Sequence, residues 1–445
     1  MQVTTQTGAL ASGSRFLIET PSPWNGVLLL CARPVPVAVG EPPWQERGPV
    51  IERVLAHGYA LAGSANTIFW PLERAFADQG DLLDTFDRLV RPPRRTIAWG
   101  NSIGGIISAG LVQLMPERLS GALPLCGNLA GAVATHNREL DIAFVVRTLL
   151  AAHAPLELVN IADPGPNLRL AAGLLEEAQA TGPGRARLAL AAAVGNTPGW
   201  QEPADRQPDP DDFTARQLNQ YQLFRDIGFL VFFWARAQVE QQAGGNPSWN
   251  TGVDYQELLE RSIDRDVVDG LYKDVGLDLT RDLAVLAHAP RISADPAAIA
   301  YLERHVVFSG QLKGTPVLTA HTDADGLVTA DHEHAYADVV RWAGDEDLLR
   351  QVYIHRAGHC TFTSAEVLTA LTVLEERIET GSWPDLDPER LNQRAVDLHG
   401  RNDPDPASRP AFFAFEPSPF PRPYDIRSSS PPSPSRVLDS RPSAV

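Results

Sequence analysis

Trp99-Gly100-Asn101-Ser102-Ile103-Gly104-Gly105 is the stretch on which the reading of this chain turns. Gly100 and Gly104 flank Ser102 as G-x-S-x-G. Residues 96–99 before it read as a short strand, and residues 103–115 after it as an apolar helix. A serine on so sharp a strand-to-helix turn sits in strained backbone geometry. Side chains two residues to either side would collide with neighbouring elements, and glycine removes those collisions. The helix start brings unpaired N–H groups and a positive dipole end close to the serine, and both stabilise negative charge. Ser102 is therefore the candidate nucleophile, and the backbone N–H of Ile103 a candidate oxyanion donor.

Outward from this turn the chain alternates strand and helix. Residues 16–20 and 27–32 are apolar runs joined by Pro21-Ser22-Pro23-Trp24-Asn25-Gly26, whose turn chemistry predicts a hairpin. Residues 50–56 read as helix, stopped by His57-Gly58, and 59–64 as strand. Leu82, Leu83, Phe86, Leu89 and Val90 have helical spacing, and 122–126 reads as strand. Such alternation predicts an α/β fold, a mainly parallel sheet with helices on its faces. It returns late, with strands at 315–320 and 349–355 and helices at 332–343 and 364–380. Residues 127–312 are instead mostly helical: 139–152, 167–180, 185–194, 213–242, 255–260 and 297–305 all have helical character. The expected organisation is a discontinuous core, 1–126 and 313–385, interrupted by a mostly helical insertion, 127–312. Eleven prolines fall among residues 401–445, so the stretch from 400 to 445 is expected to be disordered. Phe412, Phe413, Phe415 and Phe420 are the part of it able to pack on the body.

Composition narrows the function. Of 445 residues, 44% are hydrophobic and 21% charged, enough for a sizeable core. The net charge of −17 argues against nucleic acid or an anionic membrane as partner, since both require basic patches. Three scattered cysteines, Cys31, Cys126 and Cys360, give neither a disulfide framework nor a zinc site. No secretory signal is visible, and the best apolar run, 227–235, is too short to span a bilayer, so a cytoplasmic protein is expected. There is no P-loop, dinucleotide fingerprint or His-Glu-x-x-His site, so neither a cofactor nor a metal is expected.

The Ser102 segment resembles the nucleophile elbow of the α/β-hydrolase superfamily, and the strand–helix order fits over about residues 15–126 and 313–380. The resemblance implies a chain order of nucleophile, acid, histidine. His359 follows the 349–355 strand in Arg356-Ala357-Gly358-His359-Cys360 and is preferred as base over His355. The acid lies in His321-Thr322-Asp323-Ala324-Asp325-Gly326-Leu327-Val328, where Asp325 is preferred over Asp323. His321 in the same loop reads as a structural hydrogen-bonding residue. A serine hydroxyl needs such a base, and the base a carboxylate that holds its tautomer. The usual oxyanion glycine is missing after residues 27–32, which leaves the N–H of Ala32 or Arg33 as second donor, since Pro34 has none.

By the same resemblance the insertion is expected to be a cap that shapes the pocket and excludes water. Phe69, Trp70, Trp234 and Trp249 are its candidate aromatic residues, and an apolar acyl substrate of small-molecule size follows. Cleavage of an ester, lactone or thioester through an acyl-enzyme is the leading expectation. An aminopeptidase-like reading, with Glu176, Glu177 and Asp141 receiving an amine, and a non-hydrolytic acyltransferase or lyase reading stand beside it. A binding protein has no need of serine, acid and histidine together.

Overall fold

The computed structural model describes residues 2–32, 48–65, 70, 72–399 and 409–425. Its centre is β3 (Val27–Ala32), six apolar residues buried on both faces. Val27, Leu29 and Cys31 enter one core, and Leu28, Leu30 and Ala32 the other. A strand covered on both sides loses the polar alternation of a half-exposed one, which is why this run reads as continuous apolar sequence. Around it stand β1 (Gln2–Ala9), β2 (Arg15–Ser22), β4 (Ala60–Ser64), β5 (Arg95–Asn101), β6 (Gly121–Leu125), β7 (Val317–Ala324), β8 (Leu349–Ala357) and β9 (Phe412–Phe413). The sheet order is β1-β2-β4-β3-β5-β6-β7-β8-β9. Neighbours from β4 through β8 are parallel; the β1–β2, β2–β4 and β8–β9 pairs are antiparallel.

Helices α1 (Pro49–Ala56), α2 (Leu72–Leu89) and α3 (Ile103–Leu114) follow β3, β4 and β5 in turn. Between β6 and β7 run α4 (Ala132–Leu150), α5 (Pro164–Gln179), α6 (Gly182–Ala193), α7 (Phe213–Leu223), α8 (Phe229–Ala243), α9 (Tyr255–Glu260), α10 (Arg265–Asp274), α11 (Leu279–His288) and α12 (Pro296–Val306). Then come α13 (Asp331–Ala343), α14 (Ser364–Thr380) and α15 (Pro388–His399). Residues of α2, α3 and α13 share one core with the sheet, and those of α1, α14 and α15 the other. The inserted helices bury a third core, from Leu140 to Leu286. Helices α7 and α8 form one continuous run through a π-turn at Phe224–Gly228. Among the described residues no helix is long and apolar enough to cross a membrane.

Two expectations are corrected. Strands β2 and β3 do not form a hairpin: β4 lies between them, and β2 pairs instead with β1 along all eight residues, from Gln2↔Ser22 to Ala9↔Arg15. The polar, threonine-rich β1 lies at the sheet edge, where main-chain pairing holds it without an apolar face, so no periodicity marks it. The second correction concerns the 400–445 stretch. Residues 409–425 pack on the body: Phe412 and Phe413 pair with Ile354 and Tyr353, and Phe412 and Phe420 are buried. Arg422 donates to Asp141 Oδ2 at 2.7 Å and to Trp249 O at 3.0 Å. Four aromatic side chains and one buried ion pair outweigh the proline content there.

Asp141 is almost wholly enclosed, and burial raises its pKa against the opposing charge of Arg422. Arg422→Ala is expected to cost about 3 kcal/mol by leaving this carboxylate unpaired. Arg390→Ala, which breaks the exposed Asp385 pair, should cost less than about 1 kcal/mol. Urea unfolding of the two variants checks the contrast.

Candidate active site

The turn between β5 and α3 is held by contacts too close for side chains. Ser102 has φ 58° and ψ −123°, a left-handed conformation that a non-glycine residue adopts only where its surroundings enforce it. A Cβ on Gly100 would lie 2.5 Å from Gly104 O and 2.6 Å from Ala32 O. On Gly105 it would lie 2.6 Å from Gly127 Cα. The turn is thus wedged between the end of β3 and the segment after β6. Ser102 N donates to Leu125 O at 2.9 Å, and Ser102 O accepts from Gly105 N at 2.8 Å. As the first residue of α3, Ile103 has an N–H without an intrahelical acceptor. Ala32 ends β3 opposite Gly100. Arg33 and Phe69 lie outside the described residues.

Strands β7 and β8 present two separate aspartate–histidine pairs. His359 Nδ1 donates to Asp325 Oδ2 at 2.7 Å, while Asp325 Oδ1 accepts from the N–H groups of Leu327 and Val328, both at 3.0 Å. Asp325 is fully buried. Burial raises its pKa, and His359 opposes that rise. Burial likewise pulls His359 down, but the Asp325 carboxylate outweighs it and the ring ends above the ordinary histidine value. Asp323 instead holds His355, with Nδ1 to Oδ2 at 2.8 Å, and accepts from Arg356 N at 2.9 Å. That second pair does not reach the cavity beside Ser102.

The cavity measures about 590 Å³ and is lined by Ser102, Ile103, His359 and Cys360 on the sheet side. Trp70, Leu223, Phe224, Phe229, Phe232, Ile142 and Leu327 make most of it apolar. Asn101, Asn128, Arg138 and Glu139 are its polar lining. Trp234 and Trp249, expected here, are elsewhere. Trp234 is 39% exposed on the outer side of α8, and Trp249 packs against Tyr424 and Arg422. Beyond Phe232 the helix turns its face away from the cavity, which linear aromatic density cannot show. The acidic amine pocket is not assembled either: Glu176 and Glu177 are exposed on α5, and Asp141 is bound to Arg422.

A buried network behind Asp325 orders its loop. His321 Nε2 lies 2.7 Å from Val328 O and Nδ1 2.9 Å from Glu333 Oε1. Both partners accept hydrogen bonds, so the ring carries both protons. Burial lowers the His321 pKa, but Cys126 and Glu333 raise it well above the ordinary value. Glu333 also accepts from Thr319 Oγ1 and Gln351 Nε2. Ligand-type atoms of Cys126, His321 and Asp325 lie within 4.8 Å of one another. They do not fit a metal, because both imidazole nitrogens are donors here and neither offers a lone pair. The sequence places His321 beside the acid, but nothing in it marks Glu333 or Arg138 for this site.

Strand order, elbow and cavity define the class: this is a serine hydrolase of the α/β-hydrolase superfamily. No protein-family model matches the chain. It is 30% identical over 419 residues to the o-phthalyl amidase of Xanthobacter agilis, covering 87% of this chain and 90% of that protein. The chain belongs to the family of that amidase. Among solved structures it is similar to feruloyl esterase B from Aspergillus oryzae, with 14% identity, a TM-score of 0.40, and 86% and 81% of the two chains covered. It is also similar to a rice cell wall degrading esterase from Xanthomonas oryzae, at 13% identity, a TM-score of 0.38, and 84% and 87% coverage. The fold assignment rests on the strand order and not on these two likenesses.

Gly100→Ala tests the elbow. Its methyl would meet two backbone oxygens that cannot move independently, so a destabilisation of about 3 kcal/mol is expected in thermal unfolding.

Proposed function

We propose that this hydrolase cleaves the amide of a small aromatic acid through an acyl-enzyme formed on Ser102, with His359 as base and Asp325 as its positioning carboxylate. The observation that carries the reading is the convergence of Ser102 and the Asp325-bound His359 on one largely apolar cavity. The relationship to an o-phthalyl amidase supports an amide bond and an aromatic acyl portion.

In this mechanism Ser102 Oγ bonds to the carbonyl carbon while its proton passes to His359 Nε2. Asp325 holds Nδ1–H, fixing the tautomer and stabilising the imidazolium. The developing oxyanion takes the Ile103 N–H at the positive end of α3, and the backbone N–H of Ala32 or Arg33 is the candidate second donor. The C–N bond then breaks and His359 returns the proton to the leaving amine. Water, deprotonated by the same ring, next attacks the acyl-enzyme and releases the acid and Ser102. The helical insertion serves as the cap: α4, the π-turn and α8 form the wall opposite the strands and exclude bulk water from the acyl-enzyme. Esters and thioesters of the same acid are expected substrates too, since their leaving groups depart more readily than an amine. Glu176 and Glu177 are exposed and Asp141 is paired with Arg422, so the acids expected to receive an amine do not line the cavity.

A fluorophosphonate should label the wild type and not Ser102→Ala; equal labelling of both removes Ser102 from the mechanism. Asp325→Asn is expected to lower kcat by about 10³- to 10⁴-fold. Asp323→Asn, which touches only the outer pair, should lower it less than about tenfold. Steady-state kinetics on an aryl amide separates the two. The base must be neutral to accept the serine proton, and its folded pKa is raised. Activity should therefore fall with decreasing pH at a midpoint above about 6.5, the ordinary histidine value. A kcat/KM profile with its acid limb below that value contradicts the assignment of His359.

A further inference from the structure

Two nucleophilic side chains beside the site take no part in the proposed hydrolysis. Cys126 follows β6 and is fully buried. Cys360 follows His359 and lines the cavity with Ser102. Both segments are docked on β7: Cys126 N donates to Ala320 O at 2.9 Å, and Gly358 N to Ala324 O at 3.1 Å. Thr322 ties them together, its Oγ1 donating to Gly358 O at 2.9 Å and lying 3.5 Å from Cys126 Sγ. Both cysteines stand at turns of left-handed backbone, with φ 41° and 57°. The two thiols are free, and they are hydrogen-bonded to each other. Cys31 is the contrast. It lies within β3, and burial pushes its thiol up, which makes it an inert core residue.

The pair flanks the acid and the base. Cys360 Sγ lies 3.4 Å from His359 Nε2, the nitrogen that serves Ser102. Cys126 Sγ lies within 4.8 Å of a carboxylate oxygen of Asp325. Burial and the contact with Cys126 push the Cys360 thiol up, so it rests protonated with His359 in reach of its proton. A cavity wall is where a small oxidant arrives. A second thiol in contact is what captures a sulfenic acid before it oxidises further.

We infer that Cys126 and Cys360 are a modification site for hydrogen peroxide, which joins them in a reversible disulfide and switches the hydrolase off. The consequence for activity rests on the hydrolase reading above; the sulfur chemistry does not. His359 takes the Cys360 proton, the sulfur bonds to one peroxide oxygen, and the O–O bond breaks. The departing hydroxide recovers the proton from His359 and leaves as water. The Cys126 sulfur then bonds to the Cys360 sulfur, the S–O bond of the sulfenic acid breaks, and the hydroxide released takes the Cys126 proton. Two electrons pass from the two thiols to the peroxide, which ends as two waters. An S–S bond is about 2.05 Å long. Closing it draws Cys360 toward the end of β6 and takes the preceding residue, His359, with it. A misplacement of about 1 Å at a catalytic group costs about 10²-fold.

The test treats the full chain with hydrogen peroxide and reads intact mass, linked peptides and the rate of Ser102 labelling by a fluorophosphonate. The wild type should lose two hydrogens and yield a peptide pair joined through Cys126 and Cys360. Its labelling should slow by about 10²-fold, and dithiothreitol should reverse all three changes. Each variant is compared with its own untreated sample, so an altered starting activity does not enter. Cys360→Ala should form no link and keep most of its labelling rate. Cys126→Ala should gain oxygen at Cys360 and stay inactive under dithiothreitol, because no thiol captures the sulfenic acid. Cys31→Ala should behave as the wild type does. Absence of the Cys126–Cys360 link from the treated wild type overturns the inference. So does a linked protein that labels at the untreated rate, or a Cys360→Ala variant that peroxide inactivates as it does the wild type. These outcomes leave the hydrolase reading standing. A wild type that does not label at Ser102 before treatment overturns that reading, and the linked peptide alone then decides the modification site.

Discussion

The site depends on the close approach of three backbone segments at one turn. The end of β3, the first turn of α3 and the segment after β6 meet around Gly100 and Gly105 with no room for a Cβ at either position. That contact fixes the left-handed conformation of Ser102, which puts its side chain at the cavity and not in the sheet. The strain is local, and the burial around it is extensive: Ile97, Trp99, Ile103, Ile106 and Ile107 are all buried on the elements on either side. A packed core of this extent can hold a costly backbone conformation in a way that an isolated turn cannot.

The same economy of placement governs the charged groups. Asp325 is held by two backbone N–H groups and a histidine, so a fully buried carboxylate keeps its hydrogen bonds complete. His321 braces the far side of that loop through Val328 O and answers Glu333 with its second nitrogen. Each ion in this layer has a named partner. Arg138 stands apart because its partners are a carbonyl and a hydroxyl, not an acid.

Much of the fold could be read from the residues because its strands are buried on both faces and its helices follow in strict alternation. β3, β4, β5 and β6, and the helices after them, were all marked by apolar runs and turn residues. What escaped was held by other forces. β1 is polar and owes its place to main-chain pairing. Residues 409–425 are rich in proline yet dock by a few aromatic side chains and one ion pair. Helices α10, α11 and α15 carry amphipathic patterns too short and too interrupted by charge to stand out. For the candidate site, the G-x-S-x-G spacing pointed to Ser102, and the α/β-hydrolase resemblance supplied the order in which Asp325 and His359 were sought. Asp323 and Asp325 lie two residues apart yet bond different histidines, a difference that spacing along the chain does not show.

The sequence by itself determined the elbow and the alternation of strand and helix, because glycine spacing and apolar periodicity are local constraints that leave a local record. It also determined which residue types were available for acid and base chemistry. Only the tertiary structure decided which aromatic residues face the cavity, how Asp141 is neutralised from 281 positions away, and that Arg138 comes to line the cavity that holds Ser102. The physical reason is the same in each case. Burial and pairing depend on the direction in which a side chain leaves its helix and on what the fold brings against it, and neither quantity is encoded in spacing along the chain.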